Sequence, residues 1–133
     1  MMESRGHILV VDDEPSVLVT YQLILEQQGY RVSAALTSAE ARKILSNKDV
    51  DLLLCDLSLE KQKSGFDVIA FGRAVDEKLI CVLLTGYATT DATDWADERK
   101  IPVLFKPIEI KQLLATIEGL LKEKQEIRQG SSR

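Results

Sequence analysis

The chain has 133 residues, of which 45% are hydrophobic and 29% charged, with a formal net charge of −4. That length fits one domain, and the composition excludes a collagen-like, fibrous or disordered chain. An acidic balance without a clustered basic face argues against direct nucleic-acid contact, and no apolar run approaches the ~20 residues of a membrane helix.

No signal peptide is expected from the amino terminus, MMESRGHILVV, because the acidic DDE that follows cuts the apolar run short. A cytoplasmic protein is expected. HILVV (His7–Val11) is a continuous apolar run, as in a strand buried on both faces. Pro15 suits the first turn of a helix. That helix is predicted to reach Gln28, with Val17, Tyr21, Ile24 and Gln28 on one stripe and Gly29 as its stop. Tyr30–Leu36 reads as a second strand. Thr37 and Glu40 then form a capping-box pattern for a helix through about Asn47.

LLLC (Leu52–Cys55) is a third strand, Ser64–Val75 a third helix and Leu79–Leu84 a fourth strand. Ala88–Lys100 is a polar helix with Ala88, Ala92 and Trp95 roughly aligned, and Pro102–Phe105 is a fifth strand. Ile110, Leu113, Leu114, Ile117, Leu120 and Leu121 then fall at i, i+3, i+4, i+7, i+10 and i+11, the stripe of an amphipathic helix. Residues 5–122 are expected to form the domain. The polar segment 123–133 suits a frayed helix end, a linker or a disordered terminus. Strands alternating with helices predict a (βα)₅ order and a parallel sheet covered on both faces.

In an open α/β sheet, ligands bind beyond the carboxyl ends of the strands, where strand order reverses. Asp12, Asp13 and Glu14 follow the first strand, Asp56 the third, Thr85 the fourth and Lys106 the fifth. The second strand leads only into Ala34, Ala35 and Leu36. A lone Asp after a strand is usually a cap or turn residue. Three carboxylates crowded in a low-dielectric crevice repel one another and call for a cation. Oxygen-only ligands indicate a hard one, and Mg²⁺ suits a site that keeps waters and a phosphate. Lys106 can pair with phosphoryl oxygens as a point charge, and Thr85 can offer them a hydroxyl. Asp56, in the centre, can act as nucleophile and form an acyl phosphate.

The stretches ILVVDDEP, LLLCDLSL, VLLTGYA and FKPI, in that order, resemble the receiver domain of two-component response regulators. The resemblance spans nearly the whole chain. It implies the flavodoxin-like doubly wound fold with strand order 2-1-3-4-5. Asp56 would be the phosphoacceptor, with Asp12, Asp13 and the backbone carbonyl of Ser58 completing the Mg²⁺ ligands. Thr85 and Lys106 would sense the phosphoryl group. A separate histidine kinase or histidine phosphotransfer protein would be the donor, and a downstream protein of unknown identity the receiver of the signal.

Three positions depart from the family pattern. Val103 stands three before the lysine, where an aromatic switch residue is usual. Glu60 replaces a proline four positions after Asp56, in the loop DLSLEKQKSGFD. Tyr87 and Ser58, each two positions after Thr85 and Asp56, would line the path of an attacking water, and bulky Tyr87 would slow loss of the phosphoryl group.

His7, the sole histidine, precedes the first strand and reads as structural rather than as a phosphodonor. Trp95 reads as a surface aromatic in preference to a partner anchor. Cys55 and Cys81 read as buried, reduced thiols, since their spacing supports neither a zinc nor a redox motif. Two other functions fit less well: an interaction module with an inactive output, and a phosphohydrolase with an aspartate nucleophile. The latter would place DxD after its first strand, where this chain has Asp12-Asp13-Glu14.

Overall fold

The computed structural model describes residues 5–59, 65–86 and 90–131, with the backbone path alone for 125–131. Glu60, Ser64, Tyr87 and Ala88 lie outside the described residues. The elements follow in the order β1 (His7–Val11), α1 (Pro15–Gln27), β2 (Arg31–Ala35), α2 (Ser38–Asn47), β3 (Leu52–Asp56), α3 (Gly65–Val75), β4 (Ile80–Thr85), α4 (Thr90–Glu98), β5 (Val103–Phe105) and α5 (Ile110–Ser131). The five strands form one sheet in the order β2-β1-β3-β4-β5, and every neighbouring pair is parallel.

The continuous apolar strands split by parity into two cores, because successive side chains leave opposite faces of a strand. Leu9, Val11, Leu53, Cys55, Cys81 and Leu83 face α2, α3 and α4. Ile8, Val10, Leu52, Leu54, Val82 and Leu84 face α1 and α5. Leu52, Leu53 and Leu54 are all 0% exposed, which is possible only in a central strand with helices on both sides. Each such leucine contributes roughly 1.5–3 kcal/mol relative to an exposed one.

Helix starts and stops follow local chemistry. The Thr37 hydroxyl accepts the Glu40 amide at 3.1 Å, and the Glu40 carboxylate reaches back to the Leu36 amide at 2.9 Å. This reciprocal cap fixes the start of α2. Gly29, at φ +95°, closes α1, with its amide on the Glu26 carbonyl at 3.0 Å. A side chain there would be strained. The end of α4 is handled differently. Lys100 takes a left-handed φ of 58°, and the Ile101 amide returns to the Ala96 carbonyl at 2.9 Å.

Three expectations are changed or refined by the structure. First, α1 buries Leu18, Tyr21 and Leu25, not the stripe through Val17, Ile24 and Gln28. Tyr21 is common to both stripes, whereas Val17 and Ile24 are only partly buried and Gln28 is exposed past the helix end. Second, the segment after Leu121, left open between a frayed helix end, a linker and a disordered terminus, continues α5 to Ser131. Third, Trp95 is no lone surface aromatic. It is half-buried, packs on the α2–α4 core and meets Phe66 at a ring-centroid distance of 4.4 Å.

His7 is structural. It is 4% exposed; its Nδ1 donates to the Asp49 carbonyl at 2.6 Å, and its Nε2 meets the Ser33 hydroxyl at 2.7 Å. Its amide donates to the Asp51 carboxylate at 2.8 Å. These bonds pin the start of β1 at the end of the sheet remote from Asp56.

Candidate functional site

β2 lies on one side of β1, and β3, β4 and β5 lie on the other. Strand order therefore reverses at β1, and a crevice opens above the carboxyl ends of β1 and β3. The Asp12 side chain, 1% exposed, is held there from two sides. Its Oδ1 accepts the Glu14 amide at 3.0 Å, and its Oδ2 accepts from Lys106 Nζ at 3.2 Å. Glu14 is the N-cap residue of α1 and Pro15 follows it, so the turn that aims Asp12 also starts the helix.

Asp56 ends β3 and is 6% exposed. Its Oδ1 accepts the Ser58 amide at 3.4 Å, and its Oδ2 lies 3.3 Å from Lys106 Nζ. Carboxylate oxygens of Asp12, Asp13 and Asp56 lie within 4.8 Å of one another. Two unit charges at that separation repel by roughly 3–4 kcal/mol at an effective dielectric of about 20. Burial is the main cause that lifts the Asp56 carboxyl above its ordinary range, and Asp12 adds to it, while Lys106 and the Ser58 amide oppose it. Burial draws the Lys106 ammonium down, but Asp56 and Asp12 together outweigh it and hold the group above its ordinary range. Lys106 is thus firmly charged and serves two carboxylates at once.

Three close carboxylates, two of them buried, form an all-oxygen donor set that fits a small divalent cation. Such an ion would neutralise the repulsion that one ammonium only partly offsets. Ser58 is exposed, and its amide already leans on Asp56.

Thr85 ends β4 and is 3% exposed. Asp56 is in register with Leu84, so Thr85 stands one residue beyond the level of Asp56 on the next strand. Phe105 is in register with Thr85, and the Lys106 amide donates to the Thr85 carbonyl at 2.8 Å. The Lys106–Pro107 peptide is cis. Val103 is half-buried and shares the rim of one core with Phe66 and Trp95. The expected tuning residue Tyr87 lies outside the described residues.

Two residues at the site escaped the sequence reading. Tyr21 was placed on the core stripe of α1, and it is buried there. Burial raises its phenol, while the charges of Lys106, Asp12 and Asp56 also act on it. A hydroxyl on an otherwise aliphatic stripe was the available signal. Gly65 opens α3 directly against the end of β3. Its amide donates to the Leu57 carbonyl at 3.0 Å, and a Cβ there would stand 2.4 Å from the Asp56 carbonyl oxygen.

Known proteins share both sequence and fold. The profile of the response regulator receiver domain matches residues 8–118. The alginate biosynthesis transcriptional regulatory protein AlgB of Pseudomonas syringae pv. tomato is 35% identical over 98% of this chain, which spans 28% of that protein. TorR of Escherichia coli, the TorCAD operon transcriptional regulatory protein, is 29% identical over 86% of this chain and 50% of its own length. The chain therefore spans from under a third to about half of these relatives.

Among solved structures, a CheY-like receiver domain protein from Methanospirillum hungatei superposes with a TM-score of 0.86 at 26% identity, over 91% of this chain and 97% of that one. The non-phosphorylated HemR receiver domain of Leptospira biflexa gives 0.80 at 27%, over 87% and 94%. A match of this extent, on a sheet that brings the acidic residues of two strand ends together, settles the family: the chain belongs to the response regulator receiver domains, the phosphorylatable-aspartate modules of two-component signalling.

Proposed function

We propose that Asp56 accepts a phosphoryl group from a histidine kinase or histidine phosphotransfer protein, with Mg²⁺ held by Asp12, Asp13, Asp56 and the Ser58 carbonyl. The observation that carries this is the convergence of three carboxylates and the Lys106 ammonium at one strand-end crevice. Bound Mg²⁺ supplies charge neutralisation for the transferring group. Asp56, central in the cluster, offers a carboxylate oxygen to phosphorus. Lys106 stands where it can turn from the carboxylates to the oxygens of the incoming group, and Thr85 offers its hydroxyl from the neighbouring strand. The chain thus promotes its own phosphorylation and hydrolysis at Asp56, without turning over an outside substrate. The phosphorylated domain changes its contacts with a downstream protein. A cytoplasmic setting goes with this role.

The transcriptional role in the relatives' names belongs to whole proteins of which this chain spans a part. For this chain, residues 5–122 are taken as the phosphoacceptor domain and 123–133 as a tail or linker.

Incubation with acetyl phosphate and Mg²⁺, followed by intact mass, tests the proposal. One phosphoryl group is expected, lost on adding a chelator beforehand and absent in Asp56→Asn. No gain in mass would favour an interaction module with an inactive pocket. Multiple turnovers of a chromogenic phosphate ester would favour a phosphohydrolase. Tyr87→Ala is expected to shorten the lifetime of the phosphorylated form; an unchanged lifetime removes Tyr87 from the tuning role.

A further inference from the structure

Beyond the pocket, one chain of contacts leaves Asp56 away from β5. Gly65 is wedged against the acceptor strand: its amide bonds the Leu57 carbonyl, and the space for a Cβ is already taken by Asp56 O at 2.4 Å and Leu57 Cα at 2.7 Å. The Cys55 thiol, buried behind it, points its S–H at the Asp56 carbonyl at 3.4 Å and at the Gly65 carbonyl at 3.9 Å. With no side chain between them, the first turn of α3 follows any shift of the backbone that carries Asp56.

Phe66 is the next residue. Its ring lies 4.4 Å from that of Trp95, centroid to centroid, tilted by 44°. The Arg99 guanidinium stands 4.2 Å from the Trp95 ring centroid and donates to the Trp95 carbonyl at 2.9 Å. At the other end of the same helix pair, Arg73 of α3 donates to the Leu79 carbonyl at 2.8 Å and to the Arg99 carbonyl at 3.5 Å. α3 thus meets α4 through the Phe66–Trp95 pair, and Arg73 ties α3 to the turn that follows α4. At this rim β5 contributes only the aliphatic Val103.

We propose that the stack Phe66–Trp95–Arg99 carries the state of the Asp56 pocket to α4. Phe66 and Trp95 are positioning residues, touching neither metal nor phosphoryl group. A phosphoryl group on Asp56 draws the β3 end and its neighbours into a new arrangement. Gly65 passes that shift to Phe66, and the ring pair, bistable rather than continuously deformable, turns α4 with it. This rests on Asp56 being the acceptor.

Trp95 is the chain's one tryptophan, so its fluorescence reads the stack directly. Saturation of the full chain with Mg²⁺ and beryllofluoride, a stand-in for the phosphoryl group, is expected to change Trp95 emission by a fifth or more. Asp56→Asn abolishes the change. Hydrogen exchange followed by mass spectrometry then reads the helix. Amides of residues 90–98 are expected to change protection on beryllofluoride addition. In Phe66→Leu that response falls at least twofold, while uptake of phosphate from acetyl phosphate stays within twofold of wild type. Phe66→Tyr, which keeps a ring, restores the response; it also covers the case in which the leucine variant folds poorly. A silent Trp95 in chain that takes up phosphate, or an α4 response indifferent to Phe66→Leu, overturns the coupling. Absence of phosphate uptake in wild type overturns the acceptor assignment instead.

Discussion

Lys106 Nζ lies 3.3 Å from Asp56 Oδ2, and this contact joins the end of β5 to the end of β3 across the intervening β4. The same nitrogen lies 3.2 Å from Asp12 Oδ2. One ammonium therefore holds the two halves of the crevice together when no divalent ion is bound, and it occupies oxygens that such an ion would use. Several measurable consequences depend on this sharing.

Replacing Lys106 by Gln is expected to move two properties in opposite directions. Mg²⁺ affinity rises several-fold, because a competing cation has left the carboxylates; a gain of about 1 kcal/mol is reasonable for one partly exposed charge. Phosphoryl uptake is expected to fall, because the ammonium proposed to pair with the phosphoryl oxygens is gone. Calorimetric Mg²⁺ titration and acetyl phosphate kinetics measure the two. A parallel loss of both would show that Lys106 organises the site instead of competing for it.

Asp56→Asn is expected to stabilise the metal-free chain. The substitution removes one of three carboxylates crowded within 4.8 Å and keeps a group of the same shape. Relief of repulsion outweighs the weakened contact to Lys106, which retains Asp12. A gain of roughly 1–2 kcal/mol in urea unfolding is expected. Saturating Mg²⁺ is expected to shrink or reverse the difference, since only wild type has all three carboxylates. A variant less stable than wild type in the presence of chelator contradicts the repulsion account.

Gly65→Ala tests the close approach at the end of β3. The new Cβ would meet backbone atoms, Asp56 O at 2.4 Å and Leu57 Cα at 2.7 Å, which cannot rotate away as a side chain would. A loss of about 2–3 kcal/mol is expected, together with weaker Mg²⁺ binding as the β3 end is pushed aside. Gly119, whose added Cβ has nothing within 4 Å, provides the control: Gly119→Ala should be neutral or slightly stabilising in its helix.

The two buried thiols supply a separate pH test, Cys81 through burial in the α2–α4 core and Cys55 beside Asp56. Burial lifts Cys81 from an ordinary 9.0 to about 11, and lifts Cys55 well above its ordinary value. A folded-state pKa above the unfolded one means that the native chain holds the proton longer. Stability then declines as pH rises from about 9 to 11, by roughly 2–3 kcal/mol for Cys81 alone. Cys81→Ala flattens that part of the profile. At pH 8 the native chain should also resist iodoacetamide until urea is added. Rapid labelling of either thiol without urea would show that the α2–α4 core opens readily.

By itself, the sequence determined the alternation of strands and helices and the set of strand-end polar residues. Both are local properties. A strand buried on two faces must read as a continuous apolar run, and the first polar residue after it must sit at the sheet's carboxyl edge. Hence Asp12, Asp56, Thr85 and Lys106 could be placed at one edge before any contact was known. What faces what depended on packing between elements distant in the chain. The rotation of α1 followed from the need to cover β1 beside α5, which favoured Leu18 and Leu25 over Val17 and Ile24. Trp95 was drawn from the surface by Phe66, a residue of another helix. Only the strand order put Lys106 over Asp12, 94 residues away, because β5 reaches β1 through β4 and β3. Local patterning specifies which residues end a strand; long-range burial and sheet order decide which of those ends share a charge.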